Sequence, residues 1–393
     1  MISLKKFINY LILFAVFIDV LNGILSRNYN FTLLSIIYKT FILFLLISQL
    51  NFRKFNKNIL FVFILIIPII FHLFNDKFNI IELQWFIRLI TIIFILEYYK
   101  FNFNSKFVSL FFQIIFFTIV ISVLIGFFLG YGYSQYDNGI NAQIGTRGFF
   151  VAGNELSILY ILSSAFLLTN LFLKKKYKLY YFFSIIILIL SLLIATKVSF
   201  IGIFILIFLI PLSYEFNYKI NLRYVNVFKL FRNILIISFV IFLFNIILNI
   251  FLYDIGIIKR ILPTLNKYDI TTVIFSGRNL LLLKFLSFNL NINDYIFGIS
   301  LNKIIVLLGR SIEIDIIDFF VFFGLLGVFV YFKMFYLFYK QIYFTKSITI
   351  RYVKYFILFL LFLISNISGH FLTSGLCSYA IAFFFISNNE FQS

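Results

Sequence analysis

Three cations and a group of acids carry the chemistry that this sequence could perform. Arg147 and Lys197 stand in segments otherwise poor in charge, Arg278 lies in a long polar loop, and Glu313, Asp315 and Asp318 lead into a single apolar run. A guanidinium grips phosphate oxygens with two parallel hydrogen bonds, and the glycine of Ser276-Gly277-Arg278 lets a backbone come close to an anion. Neighbouring carboxylates repel one another's charge, which favours the proton uptake a general base requires. In helical geometry Asp315 and Asp318 share a face and Glu313 points elsewhere. The structural alternative for the three acids is a negatively charged helix start stabilised by its dipole.

The string from Gly145 to Glu155 adds two more polar groups. A helix starting near Gly148 would put Asn154 and Glu155 about two turns below the membrane surface, with Asn154 under Arg147. An ionisable side chain at that depth marks a functional site by default. Otherwise Arg147 caps the span and Glu155 pairs structurally with a cation. Lys197, in the tight turn Thr196-Lys197-Val198-Ser199, either binds an anion or snorkels to the interface. His370, after Ser368-Gly369, can exchange protons near neutral pH or serve as a satisfied interface residue. His72 reads as structural, and Glu82, Arg88 and Glu97 of one span could pair with one another. One cysteine, Cys377, and two histidines leave no material for a metal site, and no nucleotide-binding fingerprint occurs, so no cofactor is expected.

The elements that must position these groups are membrane helices. Of 393 residues 63% are hydrophobic and 12% charged, with a mean hydropathy of +1.07. Soluble domains carry about 25% charged residues, so lipid is the solvent here. The runs do not alternate, which argues for helices over a barrel. The formal charge of +19 is spread over many short loops rather than one face, which excludes nucleic acid as a partner.

The hydropathy pattern predicts about twelve spans, near 7–25, 31–50, 59–74, 80–98, 107–130, 148–173, 179–195, 198–213, 233–252, 316–339, 355–367 and 371–387. The first reads as an anchor rather than a cleavable signal. A polar loop is expected at 131–147, and a long loop at 253–316 is inserted into what is otherwise one membrane domain over 1–393. Alternate loops hold nineteen Lys and Arg on one side, against four in the short loops of the other. The positive-inside rule then puts both termini in the cytoplasm, and the long loop, Arg147, Lys197 and His370 outside.

The order of these motifs resembles the O-antigen polymerase and ligase superfamily over roughly 130–375: TRGFFVAGNE at a span start, the TK-x-S turn, SGR in a large outer loop, E-x-D-x-x-D before GLLG, and a late GH. The ligase branch carries a histidine eleven residues before its Gly-x-x-Gly. Here Gly324 and Gly327 form that motif and Glu313 occupies the histidine position, a departure that points to the polymerase branch. The resemblance implies a GT-C-like glycosyltransferase architecture in a bacterial inner membrane. It implies an enzyme that joins undecaprenyl-pyrophosphate-linked oligosaccharide repeat units into O-antigen or capsule, with a flippase and a chain-length regulator as partners. Arg147, Lys197 and Arg278 would then hold the pyrophosphate. Asn154, Glu155 and Asp318 would contact substrate, and Glu313 or Asp315 would act as base with His370 in reserve. A ligase-type transferase is the alternative within the superfamily, and a flippase for the same lipid-linked glycan is the alternative from another class.

Overall fold

The computed structural model describes residues 4–49, 61–75, 78–137, 143–218, 269–367, 369, 372 and 374–387. The predicted span at 233–252, the first part of the long loop and His370 lie outside the described residues. The described chain is mostly helical. In order it forms α1 (Leu4–Tyr29), α2 (Leu34–Gln49), α3 (Ile66–Phe74), α4 (Ile80–Asn102) and α5 (Ser105–Leu129). A hairpin of β1 (Tyr133–Asp137) and β2 (Gln143–Gly148) follows, then α6 (Gly153–Leu173), α7 (Tyr177–Ile194) and α8 (Lys197–Tyr218). The described part of the long loop contributes four short helices, α9 (Ile270–Phe275), α10 (Arg278–Leu286), α11 (Ile292–Phe297) and α12 (Leu301–Leu308). The chain closes with α13 (Asp315–Tyr343), α14 (Ile348–Ile367) and α15 (Gly375–Ile386). Seven of these, α1, α5, α6, α7, α8, α13 and α14, are long and apolar enough to cross a membrane. The chain is therefore a multi-pass membrane protein.

Local chemistry sets the boundaries. Asn79 caps α4 by accepting from the Ile81 N–H, and Asn104 caps α5 through the Phe107 N–H. The expected polar loop at 131–147 instead folds back on itself as an antiparallel pair, Tyr133 opposite Gly148 and Ser134 opposite Thr146. The following helix therefore begins at Gly153, not near Gly148. Near the chain's other end, α14 starts at Ile348, so Lys354 lies inside a helix and not in a loop. It is fully buried, and its Nζ donates to the carbonyls of Phe385 (2.9 Å) and Ser387 (2.6 Å). A lysine thus caps the C-terminus of α15, where the last carbonyls lack helical partners.

The predicted span at 316–339 departs most from expectation. It is two legs, 315–323 and 325–343, broken at Gly324 with φ 62° and ψ −153°. The rings of Phe319 and Tyr331 lie 5.5 Å apart, whereas twelve residues of straight helix would separate them by about 18 Å. The first leg therefore folds back beside the second. The end of α11 enters the break: the N–H groups of Ile299 (2.7 Å) and Ser300 (3.2 Å) donate to the Val321 carbonyl. Only glycines allow so close a meeting. A Cβ on Gly324 would sit 2.2 Å from the Ile296 carbonyl oxygen, and one on Gly298 would sit 2.6 Å from that of Val321. Gly324→Ala is expected to push α11 out of the break and to cost about 3 kcal/mol or more, combining a strained φ with a backbone clash. Thermal unfolding in detergent, against the tolerant control Leu325→Ala, measures it.

Candidate functional site

A cleft of about 680 Å³ opens at one end of the bundle. It is enclosed by α1, α2, α4, the turn before α6, α12 and the N-terminal end of α15. The length of α15 explains why there is space. Twelve residues rise only about 18 Å, short of the ~30 Å of a hydrocarbon core. The lysines at the far ends of α1, α4, α6 and α13 (Lys5, Lys100, Lys174 and Lys340) lie at the opposite end of the bundle.

Five charged side chains line the cleft: Asp19, Lys39, Arg88, Glu155 and Arg310. Asp19 and Lys39, both inside apolar helices, form an ion pair at 2.7 Å, and the Ser35 hydroxyl donates to Asp19 at 2.5 Å. Asn22 fixes the same corner by accepting from the Ser35 N–H. Glu155 accepts from the Ser374 hydroxyl and from the Leu376 N–H (3.2 Å), so a carboxylate holds the first turn of α15. Arg88 is within electrostatic reach of both Glu155 and Asp19. Arg310 is exposed at the rim, and among the described residues no hydrogen bond or ion pair engages it. Trp85 and Phe322, in contact at 4.5 Å between ring centroids, supply apolar wall. Three cations and two acids around an open cleft within the helical bundle suit a polar, anionic headgroup.

The residues singled out in the sequence are distributed unevenly around this cleft. Glu155 lines it. Asn154 is in the first turn of α6 rather than two turns down, and its Nδ2 donates to the Gly369 carbonyl at 3.3 Å. Gly369 in turn lies against the Glu313 carbonyl. Arg278 and Glu313, assigned to separate tasks by their types, pair with each other: Nε and Nη2 both donate to Glu313 Oε2, at 3.2 and 2.6 Å. Asn154, Gly369, Glu313 and Arg278 therefore form a contiguous wall beside the cleft.

Arg147 is committed elsewhere. It donates to the carbonyls of Ser134 (2.9 Å) and Val151 (2.5 Å) and lies over the Tyr133 ring, which ties the hairpin to the turn before α6. Lys197 is the first residue of α8 and does not line the cleft. Asp315 and Asp318 do lie on one short helix, but both are fully buried. Asp318 accepts from the N–H groups of Ile312 (3.2 Å) and Glu313 (2.9 Å), holding the turn in which Glu313 adopts φ 62°. Among the described residues no group of acids, histidines and cysteine could hold a metal ion.

Asp19, Lys39 and Arg310 belong to none of the sequence motifs, and Arg88, expected to pair with Glu82 or Glu97, instead stands near Glu155 and Asp19 while Glu82 meets His72. Asp19 and Lys39 did carry a signal, being opposite charges inside adjacent apolar runs. No family model, curated protein or solved structure matches this chain.

Removing the Asp318 carboxylate would orphan two backbone donors and release the Glu313 turn. Asp318→Ala is expected to lower stability by about 2–4 kcal/mol, and Asp318→Asn, which keeps an acceptor, by less. Thermal melts of the two purified variants compare them.

Proposed function

We propose that this chain is a membrane glycosyltransferase of GT-C-like architecture with about twelve spans. It joins oligosaccharide repeat units carried on undecaprenyl pyrophosphate at the outer face of a bacterial inner membrane. The observation that carries this reading is the charged cleft, with Lys39, Arg88 and Arg310 facing Asp19 and Glu155 at one end of an apolar bundle. The alternation of Lys and Arg along the chain supports an outward-facing cleft and cytoplasmic termini. A flippase and a chain-length regulator would be its partners.

In the proposed step a hydroxyl oxygen of the incoming lipid-linked unit bonds to the anomeric carbon of the growing glycan. The bond from that carbon to the pyrophosphate oxygen breaks, and the carrier leaves with the electron pair. Arg310 and Arg88 meet the negative charge that develops on the leaving group, and fixed positive donors of this kind are a large catalytic term. The hydroxyl proton passes to Glu155. This carboxylate faces the cleft and accepts from neutral donors, the Ser374 hydroxyl and the Leu376 N–H, whereas Asp19 is ion-paired with Lys39 and Glu313 with Arg278.

Arg88→Ala and Arg310→Ala are each expected to cut polymerisation by about a hundredfold, leaving surface glycan at one repeat unit on a gel. Normal chain lengths in both variants would remove the pyrophosphate assignment. Glu155→Gln is expected to lose about two to four orders of magnitude in turnover while Glu313→Gln loses far less. The reverse order would move the base to Glu313.

The break in α13 favours a second reading, because discontinuous helices are common in transporters. A flippase would leave lipid-linked units inside the cell when the gene is deleted. A polymerase would leave them outside, unjoined.

A further inference from the structure

His72 and Glu82 are fully buried, and neither lines the cleft. His72 is on α3 and Glu82 is in the first turn of α4, yet both reach the loop between α11 and α12. His72 Nδ1 lies 2.8 Å from Glu82 Oε2, and Nε2 lies 3.3 Å from the Gly298 carbonyl. The other carboxylate oxygen, Oε1, accepts from the Leu301 N–H at 3.0 Å. Leu301 is the first residue of α12, and its own N-cap, Ser300, makes no side-chain cap. Glu82 thus caps a helix that is 219 residues away in sequence. Two further ties act on the same end. Asn79 donates to Asn302 Oδ1 (2.6 Å), and Asn302 donates to the Phe78 carbonyl (3.0 Å).

What this end of α12 carries decides the consequence. Leu301, Ile305, Gly309 and Arg310 all line the cleft, so α12 is one of its walls and delivers Arg310 to the rim. We infer that His72 and Glu82 are positioning residues, a buried latch that seats α12 against the cleft and so sets where Arg310 stands. This role holds whatever the cleft binds, so it stands apart from the polymerase reading.

The hydrogen bonding is specific enough to separate a latch from a charge. Both atoms facing the imidazole, Gly298 O and Glu82 Oε2, accept, so the ring donates through Nε2 and a second proton sits between Nδ1 and Oε2. A glutamine at 82 serves the same geometry: its oxygen accepts from Leu301 N–H and its amide donates to Nδ1. An alanine serves none of it.

The test uses the full chain in membranes with Ile304→Cys added. Ile304 is on the inner face of α12 and fully buried, and the native Cys377, buried in α15, reports on the bundle itself. A membrane-impermeant maleimide is applied and the two sites are read separately by peptide mass. Added Glu82→Ala is expected to speed labelling at position 304 by about tenfold or more while Cys377 stays protected, as local unfolding of one element predicts. Added Glu82→Gln is expected to leave both sites protected. Three results would overturn the latch: position 304 staying protected in Glu82→Ala, equal exposure in Glu82→Gln, or Cys377 labelling together with position 304. Because no glycan substrate enters this assay, its outcome is independent of the polymerisation assays.

Discussion

The Val321 carbonyl is the atom on which this architecture turns. When α13 breaks at Gly324, that oxygen loses its helical donor in surroundings where water cannot replace it. The N–H groups of Ile299 and Ser300 fill the gap, so the long loop is held inside the bundle and not merely over it. Everything downstream in space follows from that insertion. The inserted segment runs straight into α12, α12 walls the cleft, and Arg310 stands at the rim because Gly309 ends that helix in the left-handed region. The buried pair of His72 and Glu82 holds the same segment from the side of α3 and α4.

Charge is organised by the same economy. Several buried or half-buried ionisable groups among the described residues meet an opposite charge or a backbone carbonyl. Asp19 meets Lys39, Arg278 meets Glu313, and Lys354 meets the end of α15. Such pairing is what burial in a low-dielectric bundle demands. The cleft is where this pattern loosens, with Arg310 at the rim and Arg88 between two acids, and that is the place where a charged ligand gains most from entering.

Much of the helical layout was legible because a span needs little more than length and apolarity. The boundaries of α1, α2, α4, α5, α7 and α8 fall close to the hydropathy runs. Three features were hidden for separate physical reasons. The hairpin at 133–148 has the composition of a loop, and only its pairing partner makes it a strand. The fold in α13 rests on one glycine in an uninterrupted apolar run, so periodicity cannot see it. Lys354 reads as loop charge because its partners, the last carbonyls of α15, lie more than thirty residues away. The candidate site was half legible. Glu155 was picked out as a charge near a span start, and the Arg278–Glu313 wall was found as two separate residues. Asp19 and Lys39 are charges inside apolar runs, but their pairing joins two helices and only the fold brings them together.

The shortness of α15 has an electrical consequence. Its sides are sealed by neighbouring helices, so lipid never meets the mismatch between its length and the bilayer. Solvent filling the cleft carries the bathing potential down to Ser374. A voltage that elsewhere drops over ~30 Å here drops over a shorter path, so the local field is stronger. Ions and polar groups at the cleft floor therefore experience a focused field that a full-length helix in the same position would have spread out.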